Sequence, residues 1–234
     1  MRYQEYCILL VLALLLLERL TITVRDNVPR KATDIFSEWA LNGKDLGMQD
    51  HHSTAVDAML ETLTSSRSSS FSFVDAGCGN GWVVRKMSSN PQCTRSFGID
   101  GAKEMIRKAK TIDPKGNYIH SDLLTWVPHE AFDIVHSMEV FYYFKDPEEL
   151  IKHIMDNWLK PYGQMIMGVD HYHENIKSHS WPTDLNTYMK LLSIDDWVEL
   201  FKDCGLEEVK AFQANAKDDF PGTLIVHGLK GRGS

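Results

Sequence analysis

The stretch Phe73-Val74-Asp75-Ala76-Gly77-Cys78-Gly79-Asn80-Gly81 passes from apolar residues through an acid into three alternate glycines. Glycine permits a tight turn and lets a ligand approach the backbone where a Cβ would block it, so this loop reads as a ligand seat between a strand and a helix. Its spacing is GxGxG, whereas the loop that cradles a dinucleotide pyrophosphate is GxGxxG. Asp75, just before the glycines, disfavours a pyrophosphate and favours a cationic amino group. Asp100 closes Phe97-Gly98-Ile99-Asp100 about twenty residues beyond the glycines, where a carboxylate accepts hydrogen bonds from ribose hydroxyls. The same side chain is placed to cap the helix that opens at Gly101.

Two further clusters have chemical potential. His136-Ser137-Met138-Glu139-Val140-Phe141-Tyr142-Tyr143-Phe144 combines one carboxylate with four aromatic rings. Aromatic walls hold an apolar body or, by cation–π attraction, an amine, and Glu139 can orient a polar group. Asp170-His171-Tyr172-His173-Glu174, followed by His179, Ser180 and Trp181, holds three of the ten histidines. His and carboxylate together suit a metal, yet His171 and His173 point to opposite sides if their strand continues, so a loop closing a pocket is the reading adopted and no metal site is expected. A His near neutral pH is the natural acceptor of a proton, and His171, His173 and the pair His51 and His52 are the candidates.

These motifs recur in the order found in the class I S-adenosylmethionine-dependent methyltransferases, which the chain resembles, especially the small-molecule members. The likeness rests on the DxGCGxG loop, Asp100, Ser121-Asp122-Leu123, Phe132-Asp133-Ile134-Val135 and Leu159-Lys160-Pro161-Tyr162-Gly163-Gln164, and it runs from about Phe71 to Leu229. Thr33 to Leu63 looks like that family's N-terminal lid. The resemblance implies that Asp75, Gly77, Cys78, Gly79 and Gly81 hold the methionine part of the cofactor, Asp100 the ribose, and Asp122 with Leu123 the adenine. Met138 would lie near the sulfonium. The acceptor pocket would be formed by Trp39, Glu139, Tyr142, Tyr143 and Trp181, with Tyr142 also a catalytic candidate. The implied reaction is methyl transfer to a small molecule, at N or O rather than C. A nicotinamide-dependent oxidoreductase and a non-catalytic scaffold of the same fold are the alternatives. The Asn/Asp-Pro-Pro-Tyr/Phe sequence of amino-group methyltransferases acting on nucleobases or glutamine is absent.

The elements needed to position these residues alternate. Strands are expected over Ser72–Ala76, Arg95–Ile99, Asn117–His120, Phe132–Ser137 and Gln164–Val169, the last after a turn at Lys160–Gly163. Helices are expected over Trp82–Ser89, Ala102–Thr111, Pro147–Leu159 and Ile194–Asp203, with Gly205 as a left-handed stop. Strands Glu207–Gln213 and Thr223–Leu229 close the chain as a hairpin. The fold class is therefore α/β, a Rossmann-like, doubly wound, mostly parallel seven-stranded sheet with an antiparallel C-terminal edge strand. Upstream, Thr33–Leu63 reads as helical, with Ser53 or Thr54 capping its second helix, and Ser65–Ser70 as a linker. The domains are thus an apolar segment over 1–25, a lid and linker over 26–70, and the catalytic domain over 71–230.

With 234 residues, 43% hydrophobic and 24% charged, the chain suits one such domain. Its formal net charge of −7 argues against gripping nucleic acid. The basic run Lys103, Arg107, Lys108 and Lys110 reads as a solvated helix face. Cys7, Cys78, Cys93 and Cys204 lack CxxC spacing, which points to reduced thiols and a cytoplasmic setting. The apolar run Cys7–Leu17 is shorter than the ~20 residues that span a bilayer. It leaves open a weak membrane anchor, a helix packed on the domain, or a start codon set too early. If it is an anchor, Arg19, Arg25, Arg30 and Lys31 after the run, against Arg2 before it, put the domain on the cytosolic side.

Overall fold

The computed structural model describes residues 28–65 and 67–233, so the apolar run Cys7–Leu17 lies outside the described residues. No helix among the described residues is long and apolar enough to cross a membrane. Two N-terminal helices, α1 (Ala32–Asn42) and α2 (Asp45–Thr64), precede β1 (Phe71–Ala76), α3 (Trp82–Ser88), β2 (Cys93–Asp100), α4 (Lys103–Ile112) and β3 (Asn117–His120). The second half runs β4 (Phe132–Met138), α5 (Pro147–Asn157), β5 (Leu159–Val169), α6 (Trp181–Asp184), α7 (Ile194–Asp203), β6 (Leu206–Ala214) and β7 (Thr223–Lys230).

The strands form one seven-stranded sheet in the order β3-β2-β1-β4-β5-β7-β6. Pairings from β3 through β5 are parallel, and β7 runs antiparallel to both β5 and β6. The antiparallel strand is thus β7, inserted between β5 and the edge strand β6. Chain order reverses between β1 and β4, and in such sheets the crevice beyond the carboxyl ends at that point is where ligands bind.

Both faces are covered, and strand alternation sorts side chains between them. Val74, Ala76, Val135, Met165, Met167 and Val169 face a core closed by Leu150 and Ile154 of α5, by Trp158 just after it, and by Trp197 and Phe201 of α7. Phe71, Phe73, Ile134 and Ile166 face the opposite core, completed by Val83 and Met87 of α3 and by Ala55, Val56, Met59, Leu60 and Leu63 of α2. The second half of α2 is therefore a layer of the domain itself, and only its first half and α1 overhang the sheet edge.

Local departures from the sequence reading have identifiable causes. Helix α2 is continuous from Asp45, and Ser53 bonds the Asp50 carbonyl inside it instead of capping a later start. The helix expected to reach Leu159 ends at Asn157, and β5 begins at Leu159. There the pairing with β4 shifts register, from Phe132 opposite Leu159 to Ile134 opposite Gln164, with Tyr162 at a φ of 60° between them. The expected turn is thus an irregularity inside a longer strand. Gly205 follows α7 at a φ of 89° and donates to the Lys202 carbonyl, as the left-handed stop requires. The basic face of α4 is exposed at Lys103, Arg107 and Lys110, but Lys108 turns inward to the buried Asp45 at 2.6 Å. Cys78, Cys93 and Cys204 are all free thiols.

Candidate active site

The glycine loop leaves the end of β1 and turns back at once: Gly77 and Cys78 both donate to the Ile99 carbonyl of β2, at 2.8 and 3.0 Å. Gly77 has a φ of 78°, and a Cβ there would lie 2.2 Å from Cγ2 of Val140. Gly81 has the same φ, and a Cβ there would meet the Tyr118 ring at 2.3 Å. At both positions a side chain is excluded twice, by backbone conformation and by a neighbour.

Asp100 links this loop to β2. Its carboxylate accepts from the Gly79 N–H at 2.8 Å and the Ala102 N–H at 2.6 Å, so it braces the loop and caps the turn into α4. Each carboxylate oxygen retains a second lone pair for a ligand donor. Burial, and to a smaller extent the charge of Asp75, raise its pKa to about 6 against the pull of those two N–H groups. Asp75 itself is buried and shares a 2.7 Å hydrogen bond with Nδ1 of His136, its register partner on β4. Nothing in the sequence singles out His136; only the β1–β4 register brings it to Asp75.

A cavity of about 860 Å³ opens beyond the strand ends. One end is lined by Gly77, Gly79, Asp100, Asp122 and Leu123, the other by Phe36, Glu139, Tyr143, Phe144 and Tyr188, with Met138 between. A narrower recess continues from Gly77, Gly79 and Met138 toward Asp75, Cys78, Asn80 and His52. Of the expected cofactor residues, all but Gly81 line one or both spaces; Gly81 acts instead as the turn that starts α3. Asp122 is exposed and accepts from the Leu124 N–H at 2.9 Å, while Leu123 is buried beside it.

The expected acceptor residues divide. Glu139 and Tyr143 line the cavity. Tyr142 lies behind them and donates to Glu139 at 2.7 Å. Trp39 is turned aside, edge-on to Phe36 at 5.3 Å, and Phe36 one turn earlier reaches the cavity and meets Tyr143 edge-on at 5.5 Å. Trp181 is stacked on the buried His171 at 6.2 Å, away from the cavity. His171 also bonds the Ser178 carbonyl at 3.0 Å, and burial lowers its pKa. His173 is exposed beside His179. Neither lines the cavity, because the chain leaves the sheet at Val169 and folds the loop against its own residues.

The ionisable group that does approach is His52 of α2. Its Nε2 lies 3.5 Å from Oδ2 of Asp170, and Glu139 closes the group by accepting from the Asp170 N–H and from Tyr142. Glu139 adopts a φ of 60°, a strained conformation for a glutamate, which turns its carboxylate back toward β5. Burial first, then the charge of Asp170, push its pKa up to about 8. Burial pulls His52 down, yet its hydrogen bond to Asp170 and the charges of Glu139 and Asp170 together raise it above 6.5.

The N-terminal segment is tied down at two places. Asp45, at the start of α2, is buried and accepts from Asn80 of the glycine loop at 2.9 Å as well as from Lys108. Arg30 is stapled to the segment after α6, its N–H donating to Asn186 at 2.6 Å and its carbonyl accepting from the Thr187 hydroxyl at 2.7 Å. Arg30, Lys31 and Lys145 give this rim of the cavity a cationic character.

Comparison with known proteins agrees with this geometry. A family model described as a methyltransferase domain matches residues 29–211. Trans-aconitate 2-methyltransferase of Escherichia coli is 27% identical over 101 residues, 37% of this chain and 40% of its own length. The chain's match thus spans less than half of that curated relative. A Haloferax volcanii methyltransferase solved with the Trm112 methyltransferase activator superimposes with a TM-score of 0.73 at 27% identity, over 86% of this chain and 99% of that one. The N-methyltransferase NodS of Bradyrhizobium japonicum, solved with S-adenosyl-L-homocysteine, shares the fold at a TM-score of 0.59 and 19% identity, over 78% of this chain and 86% of its own. Sequence, sheet order and the position of the glycine loop converge: the chain belongs to the class I S-adenosylmethionine-dependent methyltransferase family.

Proposed function

We propose that this chain transfers the methyl group of S-adenosylmethionine to a nitrogen or oxygen of a small-molecule acceptor. The observation that carries the proposal is the single cavity of about 860 Å³ joining the glycine loop and Asp100 to Glu139 and the rings of Phe36, Tyr143 and Tyr188. Small-ligand sites occupy roughly 300–1,000 Å³, so this space suits a cofactor with a compact acceptor. In this reading Asp100 holds the ribose, Asp122 and Leu123 the adenine, and Asp75 with the glycine loop the methionine part. The methyl-bearing sulfur then lies near Met138, with the acceptor beyond it.

Methyl transfer from a sulfonium is a direct displacement, so the protein's task is to align acceptor, methyl carbon and sulfur and to keep water out. The lid helices, fastened through Asp45 and Arg30, supply the exclusion, and the aromatic wall supplies alignment. The net charge of −7 counts against a polynucleotide acceptor. The experiment is incubation of the purified chain with methyl-labelled S-adenosylmethionine and a metabolite extract, with labelled products identified by mass spectrometry. A labelled small molecule is expected. Tight cofactor binding with no labelled product would favour a non-catalytic scaffold instead.

A further inference from the structure

Outside the glycine loop, one group of side chains stands apart by its chemistry. His52 of α2, Glu139 at the end of β4 and Asp170 after β5 converge from three separate elements, and one ligand atom from each lies within 4.8 Å of the other two. Glu139 and Asp170 are both buried, at 8% and 9% exposure. Oδ1 of Asp170 is buried with no hydrogen-bond partner.

We propose that His52, Glu139 and Asp170 form a site for one divalent transition-metal ion of the Mn²⁺ or Zn²⁺ type. Charge is the first reason. Two carboxylates buried side by side must be neutralised, by protons or by a cation, and a doubly charged ion against two carboxylates and a neutral imidazole does so without any proton. Geometry is the second. A tetrahedral ion about 2.1 Å from each ligand sets neighbouring ligand atoms about 3.4 Å apart, close to the 3.5 Å between His52 Nε2 and Asp170 Oδ2. The mixed donor set of one imidazole and two carboxylates favours Mn²⁺ or Zn²⁺ over Ca²⁺, which takes oxygen ligands.

Three protein ligands leave a coordination position open, the arrangement of catalytic sites and not of structural ones. Glu139 also lines the acceptor cavity. The ion would therefore hold an acceptor hydroxyl and, as a Lewis acid, lower its pKa so that its proton leaves to solvent before the methyl group is transferred, a role that rests on the methyl-transfer reading above.

Metal binding is testable without turnover, which separates its failure from failure of that reading. The untagged full chain, stripped with chelator, is titrated with Mn²⁺ by electron paramagnetic resonance and with Zn²⁺ by calorimetry. One ion per chain with micromolar or tighter affinity is expected for at least one of the two. Asp170→Asn and His52→Gln should each weaken it at least tenfold, while each variant keeps a cooperative thermal unfolding transition as a control for folding. His52, on a helix surface and partly exposed, is the variant that keeps the test valid if Asp170→Asn does not fold. No saturable binding of either ion by the wild type overturns the proposal, as does unchanged ion affinity in a variant that still unfolds cooperatively.

Discussion

Asp75 on β1 and His136 on β4 face each other across one rung of the sheet, carboxylate to imidazole Nδ1 at 2.7 Å, in a place where both are almost fully buried. The pair fixes the end of β1, and through it the start of the glycine loop. His136→Ala removes a buried ring and takes this donor from a buried carboxylate, so a loss of about 2–4 kcal/mol is expected. Urea unfolding of the variant measures it. A loss below about 1 kcal/mol would mean that the pair does not support the loop.

With Asp100 at the ribose, as proposed, the cofactor affinity should depend on pH. In the proposed cofactor pose ribose hydroxyls donate to the carboxylate, so binding would favour its charged form and a proton would have to leave wherever the free protein holds one, that is, below about pH 6. The dissociation constant for S-adenosylmethionine should be flat above pH 7 and rise as pH falls through 6, by up to about tenfold per unit. For folding of the unliganded chain the sign is different. A carboxyl raised from 3.8 to about 6 contributes stability below its unfolded value, and that contribution is lost as pH rises through 6. Calorimetric titrations at several pH values, with Asp100→Asn weaker and insensitive to this step, provide the check. A wild-type affinity constant from pH 5 to 8 would remove Asp100 from the ribose site.

Gly77→Ala is expected to destabilise the chain by about 1–3 kcal/mol and to weaken the cofactor, because the new methyl group meets Val140 at 2.2 Å and the residue stays at a φ of 78°. Trimming Val140 to Ala in the same chain relieves the clash but not the backbone strain. The double variant should therefore recover part of the loss, as read by thermal unfolding and calorimetry. Full recovery would show that the positive φ carries no penalty here.

Phe36→Ala should lower kcat/KM for the acceptor by roughly tenfold while leaving cofactor affinity within about twofold, since the ring lines the aromatic end of the cavity. Trp181→Ala removes a ring that stacks on His171 outside the cavity, and its effect should fall on stability and not on acceptor KM. Steady-state kinetics with the acceptor, beside thermal unfolding, distinguishes the two. Equal loss of acceptor binding in both variants would relocate the pocket.

Much of the molecule was legible in the chain because it depends on local order. The glycine spacing after an apolar run, the acid twenty residues on, and strands and helices in alternation all follow from short-range backbone rules, and they pointed to the sheet and to a ligand seat at its edge, while the cofactor followed from the likeness to a methyltransferase family. What the chain could not reveal are relations between residues far apart in it. His136 meets Asp75 only through strand register, and Asp45 meets Asn80 and Lys108 only because α2 folds over the loop. The aromatic wall moved from Trp39 to Phe36 because helix rotation is set by packing, which composition does not encode. The histidines after β5 carried the strongest local signal, yet the chain turns away from the sheet there and leaves Asp170 to join His52 and Glu139 from elements 118 and 31 residues distant. Side chains that gather in one site from separate elements do so by the closing of the tertiary structure, and no local pattern records that closing.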